Sequence, residues 1–169
     1  MRISQALHKG SSSRPRETMV LFSVAGSMFA IPARSVEEIR EIAGLREFPS
    51  RLARVKHTVL RQGKCYFVVD AARHFRMSSQ QPGKLMLLRH APVAVLVDAI
   101  DRMQEIQSIH ELPAAFGGDE RNWYRGLTLI KGKVVPVVHP ESFLSKAEVT
   151  LLSVLLRGKR SAEAAAVTA

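Results

Sequence analysis

The side chains from which this chain could build an active site are six histidines, one cysteine and fifteen carboxylates. The histidines stand at positions 8, 57, 74, 90, 110 and 139. No two of them fall at an H-x-x-x-H spacing, and a lone Cys65 leaves no C-x-x-C, so a metal centre has no donor set. His57 and His139 lie at similar ends of two related segments, where a surface or structural histidine is the ordinary reading. Cys65 sits between Lys64 and Tyr66 in a strand-like run and reads as a half-buried small apolar residue. The carboxylates are scattered. Neither G-x-x-x-x-G-K-[ST] nor G-x-G-x-x-G occurs, so no phosphate-cradling motif supports a nucleotide. The expectation is a protein with no catalytic residues, no metal and no cofactor.

Binding chemistry is better represented. The net charge is +10, and residues 1–76 carry 14 Lys and Arg against 6 Asp and Glu. The excess is densest at Arg46, Arg51, Arg54, Lys56, Arg61 and Lys64, which favours an acidic protein surface or nucleic acid. Lys56, Arg61 and Lys64 form a candidate rim for an acidic partner. Stacking platforms for single strands alternate aromatics with cations, and this stretch offers only Phe48. A basic nucleic-acid-binding barrel is therefore the alternative to a protein-binding module. Trp123 and Tyr124, flanked by Arg121 and Arg125, could anchor a partner or plug a loop onto the fold, and the plug is favoured.

The elements that must position these residues occur twice. Residues 126–139, GLTLIKGKVVPVVH, repeat residues 57–70, HTVLRQGKCYFVVD, at a shift of 69. Residues 85–103 repeat residues 21–39 at a shift of 64. Each copy offers about five short strands with Gly-containing turns, the size of a small barrel. The spacing predicts strands over 19–25, 28–32, 84–89 and 92–97, and hairpins over 57–70 and 126–138. It predicts a helical turn running into a strand over 35–42, a helical turn over 50–56 and a short helix after Asp70. Apolar residues at 143, 144, 147, 151, 152, 155 and 156 predict an amphipathic helix over 141–157, started by Pro140 and ended by Gly158. The chain thus divides into a disordered basic tail (1–18), one domain (19–157) and a flexible tail (158–169). Within the domain, the first barrel spans about 19–76 and the second about 84–139. No run of 18 apolar residues is present, the start has no apolar signal core, and one cysteine fits a reducing compartment. A cytoplasmic location without membrane insertion follows as an expectation.

The order LFSVAGSMFAIPARSVEEIREI, VKHTVLRQGKCYFVVDAARHF, KLMLLRHAPVAVLVDAIDRMQEI, GLTLIKGKVVPVVHPESFL closely resembles the CheW-like adaptor domain of bacterial chemotaxis over about residues 19–146. Val36-x-Glu38-Ile39, Leu96-Val97-Asp98 with Ile100, and the doubled hairpins carry the likeness. It implies a mostly β fold of two SH3-like five-stranded β-barrel subdomains in pseudo-repeat with a C-terminal helix, and no catalytic centre. It also implies an adaptor or scaffold that couples chemoreceptors to a CheA-like histidine kinase. The kinase's regulatory domain would be one partner. The cytoplasmic tip of a methyl-accepting chemoreceptor, held in a groove between the barrels, would be the other. Val36 and Glu38 match the family's motif and become candidate contacts. The family's first hairpin begins Gly-Val-x-Asn-Leu-Arg-Gly; here His57 replaces the Gly, Leu60 the Asn and Gln62 the Arg. His57 and Gln62 are thus contact positions with altered chemistry. The family's Pro in the next strand is Phe67 here, although Pro136 keeps it in the second copy.

Overall fold

The computed structural model describes residues 16–79 and 81–168. The basic lead-in expected over residues 1–18 lies outside these up to residue 15, and Glu17 and Thr18 already belong to the first strand. The first copy supplies β1 (Glu17–Val24), β2 (Ser27–Pro32), β3 (Val36–Glu41), the two-residue β4 (Arg46–Glu47), β5 (Val55–Arg61) and β6 (Lys64–Asp70), followed by α1 (Ala71–His74). The second copy supplies β7 (Lys84–Leu88), β8 (Val93–Val97), β9 (Ala99–Ile106), α2 (Glu120–Trp123), β10 (Tyr124–Ile130) and β11 (Lys133–Val138), and α3 (Lys146–Thr168) closes the chain.

These strands make two sheets, ordered β10-β11-β2-β1-β9 and β3-β7-β8-β6-β5-β4. The repeat is retained in detail. The one parallel contact of the first sheet pairs Val137 with Ala30; its counterpart in the second sheet pairs Val68 with Ala94, and both residues obey the sequence shifts. The register slip between Val55 and His57 recurs between Tyr124 and Gly126.

The division into barrels at 19–76 and 84–139 is not how the strands pair. Each sheet takes its first hairpin from one copy and its remaining strands from the other: β1 and β2 join β9–β11, while β7 and β8 join β3–β6. The cause is the crossover after each first hairpin. Pro32 and the 3-10 turn Ala33–Ser35 carry the chain out of the first sheet, and Asp98 alone separates β8 from β9. Both crossovers are clamped to the opposite sheet. The Arg89 backbone N–H donates to the Ser35 carbonyl, and the Arg89 side chain donates to the carbonyls of Arg34 and Val36. The carboxylate of Asp98 accepts the Ala25 N–H at 2.7 Å, and the Asp98 N–H donates to the Ser23 carbonyl.

Each sheet curls back on itself. In a flat five-stranded sheet the outer strands would lie about 19 Å apart. In the second sheet, Arg61 Nε of β5 instead donates to Glu38 Oε2 of β3 at 2.7 Å. In the first, His110 beyond β9 exchanges two backbone hydrogen bonds with Leu127 of β10, at 2.7 and 2.9 Å. Strand alternation then buries both faces. Met19, Leu21, Ala30, Val135 and Val137 fill the inside of the first curl, and Val59, Tyr66, Val68, Leu85 and Leu87 fill the second. The largest core lies between the sheets, where Val20, Phe22, Phe29, Phe67, Val69, Met86 and Val95 meet.

Two local expectations change. Residues 50–56 form no helical turn: the Ser50 hydroxyl donates to the Val55 carbonyl and closes a loop that leads straight into β5. The terminal helix starts later and ends later. A capping box starts it, since Ser145 Oγ accepts the Glu148 N–H at 3.1 Å and Glu148 Oε1 accepts the Ser145 N–H at 2.9 Å. Pro140 instead begins a separate 3-10 turn. Gly158 does not end α3, and the expected tail 158–169 is helical as far as Thr168. An exposed glycine costs a helix about 1 kcal/mol relative to alanine, too little to stop one whose next residues are rich in alanine.

Candidate partner-binding surfaces

Three hairpins of this molecule end in the same two-residue turn with both residues left-handed: Ala25–Gly26, Gln62–Gly63 and Lys131–Gly132. That geometry matches the twist of the flanking strands and favours glycine in the second position. Gln62, at φ 51°, is thereby presented at the tip of the β5–β6 hairpin. Lys64 follows it, with its ammonium 4.9 Å from the centre of the Tyr66 ring. Arg61 precedes it and is paired with Glu38. The Arg61 hydrogen bond holds the Glu38 carboxyl below its ordinary range, and Glu38 raises Arg61 in turn. Glu38, Arg61, Gln62 and Lys64 therefore form one polar rim where the second sheet closes.

The other sequence candidates stand elsewhere. Lys56 is five residues back along β5, about 17 Å by strand rise, and its ammonium donates to the Ser50 carbonyl at 2.7 Å. His57 is half-buried, opposite Val68 on one side and Glu47 on the other. Val36 is 8% exposed and packs in the core between the sheets, so it shapes the start of β3 from within. The basic residues between 46 and 64 do not make one continuous patch. Arg54 turns towards α3, where its guanidinium meets Glu148 and the Phe143 carbonyl. Phe48 is buried, which leaves that stretch no stacking platform.

Trp123 and Tyr124 are both plugs, each 8% exposed and packed on Phe75. Burial, aided by Glu120, pushes the Tyr124 hydroxyl up to about 12. Among the described residues no group of three or more His, Cys, Asp or Glu is placed to hold a metal ion. Among the described residues no helix is long and apolar enough to cross a membrane.

One feature escaped the reading of single residues. Apolar side chains are exposed at equivalent places in both sheets. Leu60 and Ile39 in the second correspond by the repeat shifts to Leu129 and Met103 in the first, and all four are at least 39% exposed. Leu129 faces Val134 across its hairpin, as Leu60 faces Cys65. The repeat had already aligned these positions. The missing signal was their exposure, because an apolar residue in a strand gives no sign of which face is covered.

The fold defines the class: two curled sheets built from crossed halves of a repeat. The CheW-like domain family model matches residues 18–148; the chain belongs to that family and is a chemotaxis adaptor or scaffold. The fold is shared with the scaffolding protein TtCheW from Thermoanaerobacter tengcongensis, with a TM-score of 0.68 at 16% identity over 74% of this chain and 90% of that one. No curated protein matches the chain.

Proposed function

We propose that this chain is a non-enzymatic adaptor that docks the regulatory domain of a CheA-like histidine kinase on the rim of its second sheet. The observation that carries this reading is the rim itself. Glu38, Arg61, Gln62 and Lys64 converge at the closure of the sheet, and exposed Ile39 and Leu60 adjoin them. Polar groups beside exposed apolar side chains at one edge suit a protein interface. Lys56 and His57 lie along the same strand towards β4 and extend the surface. The cytoplasmic tip of a chemoreceptor is the second partner. His57 and Gln62 alter that contact, since an imidazole fills space and Gln62 lacks a bidentate cationic fork.

Isothermal titration with the regulatory domain of a CheA-like kinase from the same genome tests the first half. Saturable one-to-one binding is expected, weakened about tenfold or more by Glu38→Lys, which sets like charges against Arg61. Absence of binding at high protein concentration would remove the kinase as partner. For the receptor, His57→Gly with Gln62→Arg is expected to strengthen binding to receptor tips of the ordinary type. An unchanged affinity would place the receptor contact elsewhere.

A further inference from the structure

A cavity of about 630 Å³ opens between α1, α2 and the start of α3, away from the rim described above. Its cations are all arginines: Arg54, Arg73, Arg76 and Arg121. They arrive from three different segments of the chain. Arg76 is the most telling. It ends α1 in the left-handed region, at φ 56°. The Met77 N–H closes that turn onto the Ala72 carbonyl at 2.7 Å, the pattern in which the left-handed residue is usually glycine. A non-glycine residue there costs on the order of 1–2 kcal/mol. The side chain so placed lies over the Trp123 ring, 5.6 Å from its centre, and reaches Asp119 at 2.7 Å.

A second observation is independent of the arginines. His74 borders the same cavity and is only 7% exposed. Its Nε2 is the one buried side-chain polar atom among the described residues with no hydrogen-bond partner. A buried polar atom is ordinarily paired, and one left unpaired at the wall of a cavity calls for a partner, a bound water or ion among them. The carboxylates at the site do not fill this role. Asp119 and Glu141 are 65% and 77% exposed at the mouth, and Glu148 is committed to Arg54 and to the cap of α3.

We propose that this cavity binds a phosphate monoester. A carboxylate is matched by one guanidinium fork, whereas arginines converging from several directions suit a tetrahedral dianion. The phosphate displaces Asp119 from Arg76, draws on Arg73 and Arg121, and accepts a hydrogen bond from His74 with its proton on Nε2. The proposal does not depend on kinase docking.

Trp123 is the only tryptophan in the chain, so intrinsic fluorescence reads this site directly. The full chain is titrated with sodium phosphate, with a phosphoserine peptide, with its serine and aspartate counterparts, and with sodium chloride at matched ionic strength. A saturable change with phosphate or phosphopeptide, half-complete at about 1 mM or below, is expected. Arg121→Ala, on the surface, is expected to weaken it about tenfold, as is Arg73→Ala, while Arg160→Ala at the far end of α3 leaves it unchanged. Tighter binding of the phosphopeptide than of free phosphate assigns the ligand to a phosphorylated protein, and equal binding assigns it to a free phosphate compound. A response no larger than that to chloride overturns the proposal. So does an aspartate peptide that binds as tightly as the phosphopeptide, or affinity untouched in both arginine variants.

Discussion

The β5–β6 and β10–β11 hairpins share their turn and their register slip, yet they part at one telling position. Gly126 in the second hairpin corresponds to His57 in the first. A Cβ on Gly126 would lie 2.4 Å from the His110 carbonyl oxygen and 2.5 Å from Ile109. The chain beyond β9 runs against β10 there, and that contact shuts the first sheet. In the second sheet the same flank meets β4 instead, through Glu47 opposite His57, and leaves room for an imidazole. Of two hairpins written alike, one is closed by the chain's own longer connection and the other is left with an open rim. The asymmetry lies in the flank: the chain beyond β9 seals β10 through His110 and Leu127, whereas β4 lines β5.

The largest break in this comparison is expected at the glycine. Gly126→Ala pushes a methyl group into backbone that cannot yield, and a loss of about 3 kcal/mol or more is expected in urea unfolding. His57→Ala is expected within about 1 kcal/mol of the parent, because the half-buried imidazole beside β4 leaves no tight packing behind when removed. Equal costs at the two positions would erase the distinction.

The second effect concerns where the two hairpins meet α1 and α3. Burial, reinforced by the charge of Arg54, lowers the His74 imidazole to about 4. Arg54 and Glu148 are the charged groups facing it, and Trp123, Phe75 and Phe143 pack around it. A depressed value in the folded state means that the unfolded chain takes up the proton first as pH falls. The contribution is intact above about pH 6.5, declines below it, and is lost by about pH 4, up to on the order of 3 kcal/mol. Unfolding free energies measured between pH 7 and 4 should show this slope, and His74→Phe should flatten it. An identical slope in the variant would assign the acid sensitivity to other groups.

Smaller effects sharpen the picture of the open rim. Glu38→Gln removes a half-exposed ion pair, so thermal stability should barely move while kinase binding weakens. A fall in melting temperature as large as that of Gly126→Ala would make the pair a closure device rather than a contact. Smallest of all, Gln62→Asn should stabilise by a few tenths of a kcal/mol, since asparagine tolerates the left-handed region better than glutamine. Destabilisation would mean that the glutamine side chain is held by a contact within the fold.

Much of this was legible before any coordinates. The doubled hairpins announced the repeat, and Gln62–Gly63 and Lys131–Gly132 announced their turns. The strand within the expected span 35–42 also stood in the pattern, although its helical turn falls earlier, at Ala33–Ser35, and Trp123 and Tyr124 are the expected plugs. Four residues of the proposed surface were legible as near neighbours, since Arg61 pairs with Glu38 and Gln62 and Lys64 flank it in the same hairpin. Val36 went inward, because the side-chain alternation of a short strand does not say which face a neighbour will cover. Lys56 fell at the far end of β5, because closeness in charge along the chain is not closeness in space. The late end of α3 was hidden by Gly158, whose local cost was outweighed by the alanines that follow it.

The amino-acid order by itself determined a β-rich repeat with Gly-containing hairpins, a basic first half and no constellation for catalysis. These follow from local rules of period, turn geometry and side-chain chemistry. Only the tertiary structure decided that the halves exchange their first hairpins, that the chain beyond β9 flanks Gly126 while β4 flanks His57, and that four arginines and a His74 with an unpaired Nε2 share one cavity. Each of these depends on contacts between residues far apart in the chain. Burial and strand pairing across the crossovers, rather than any local preference, select them.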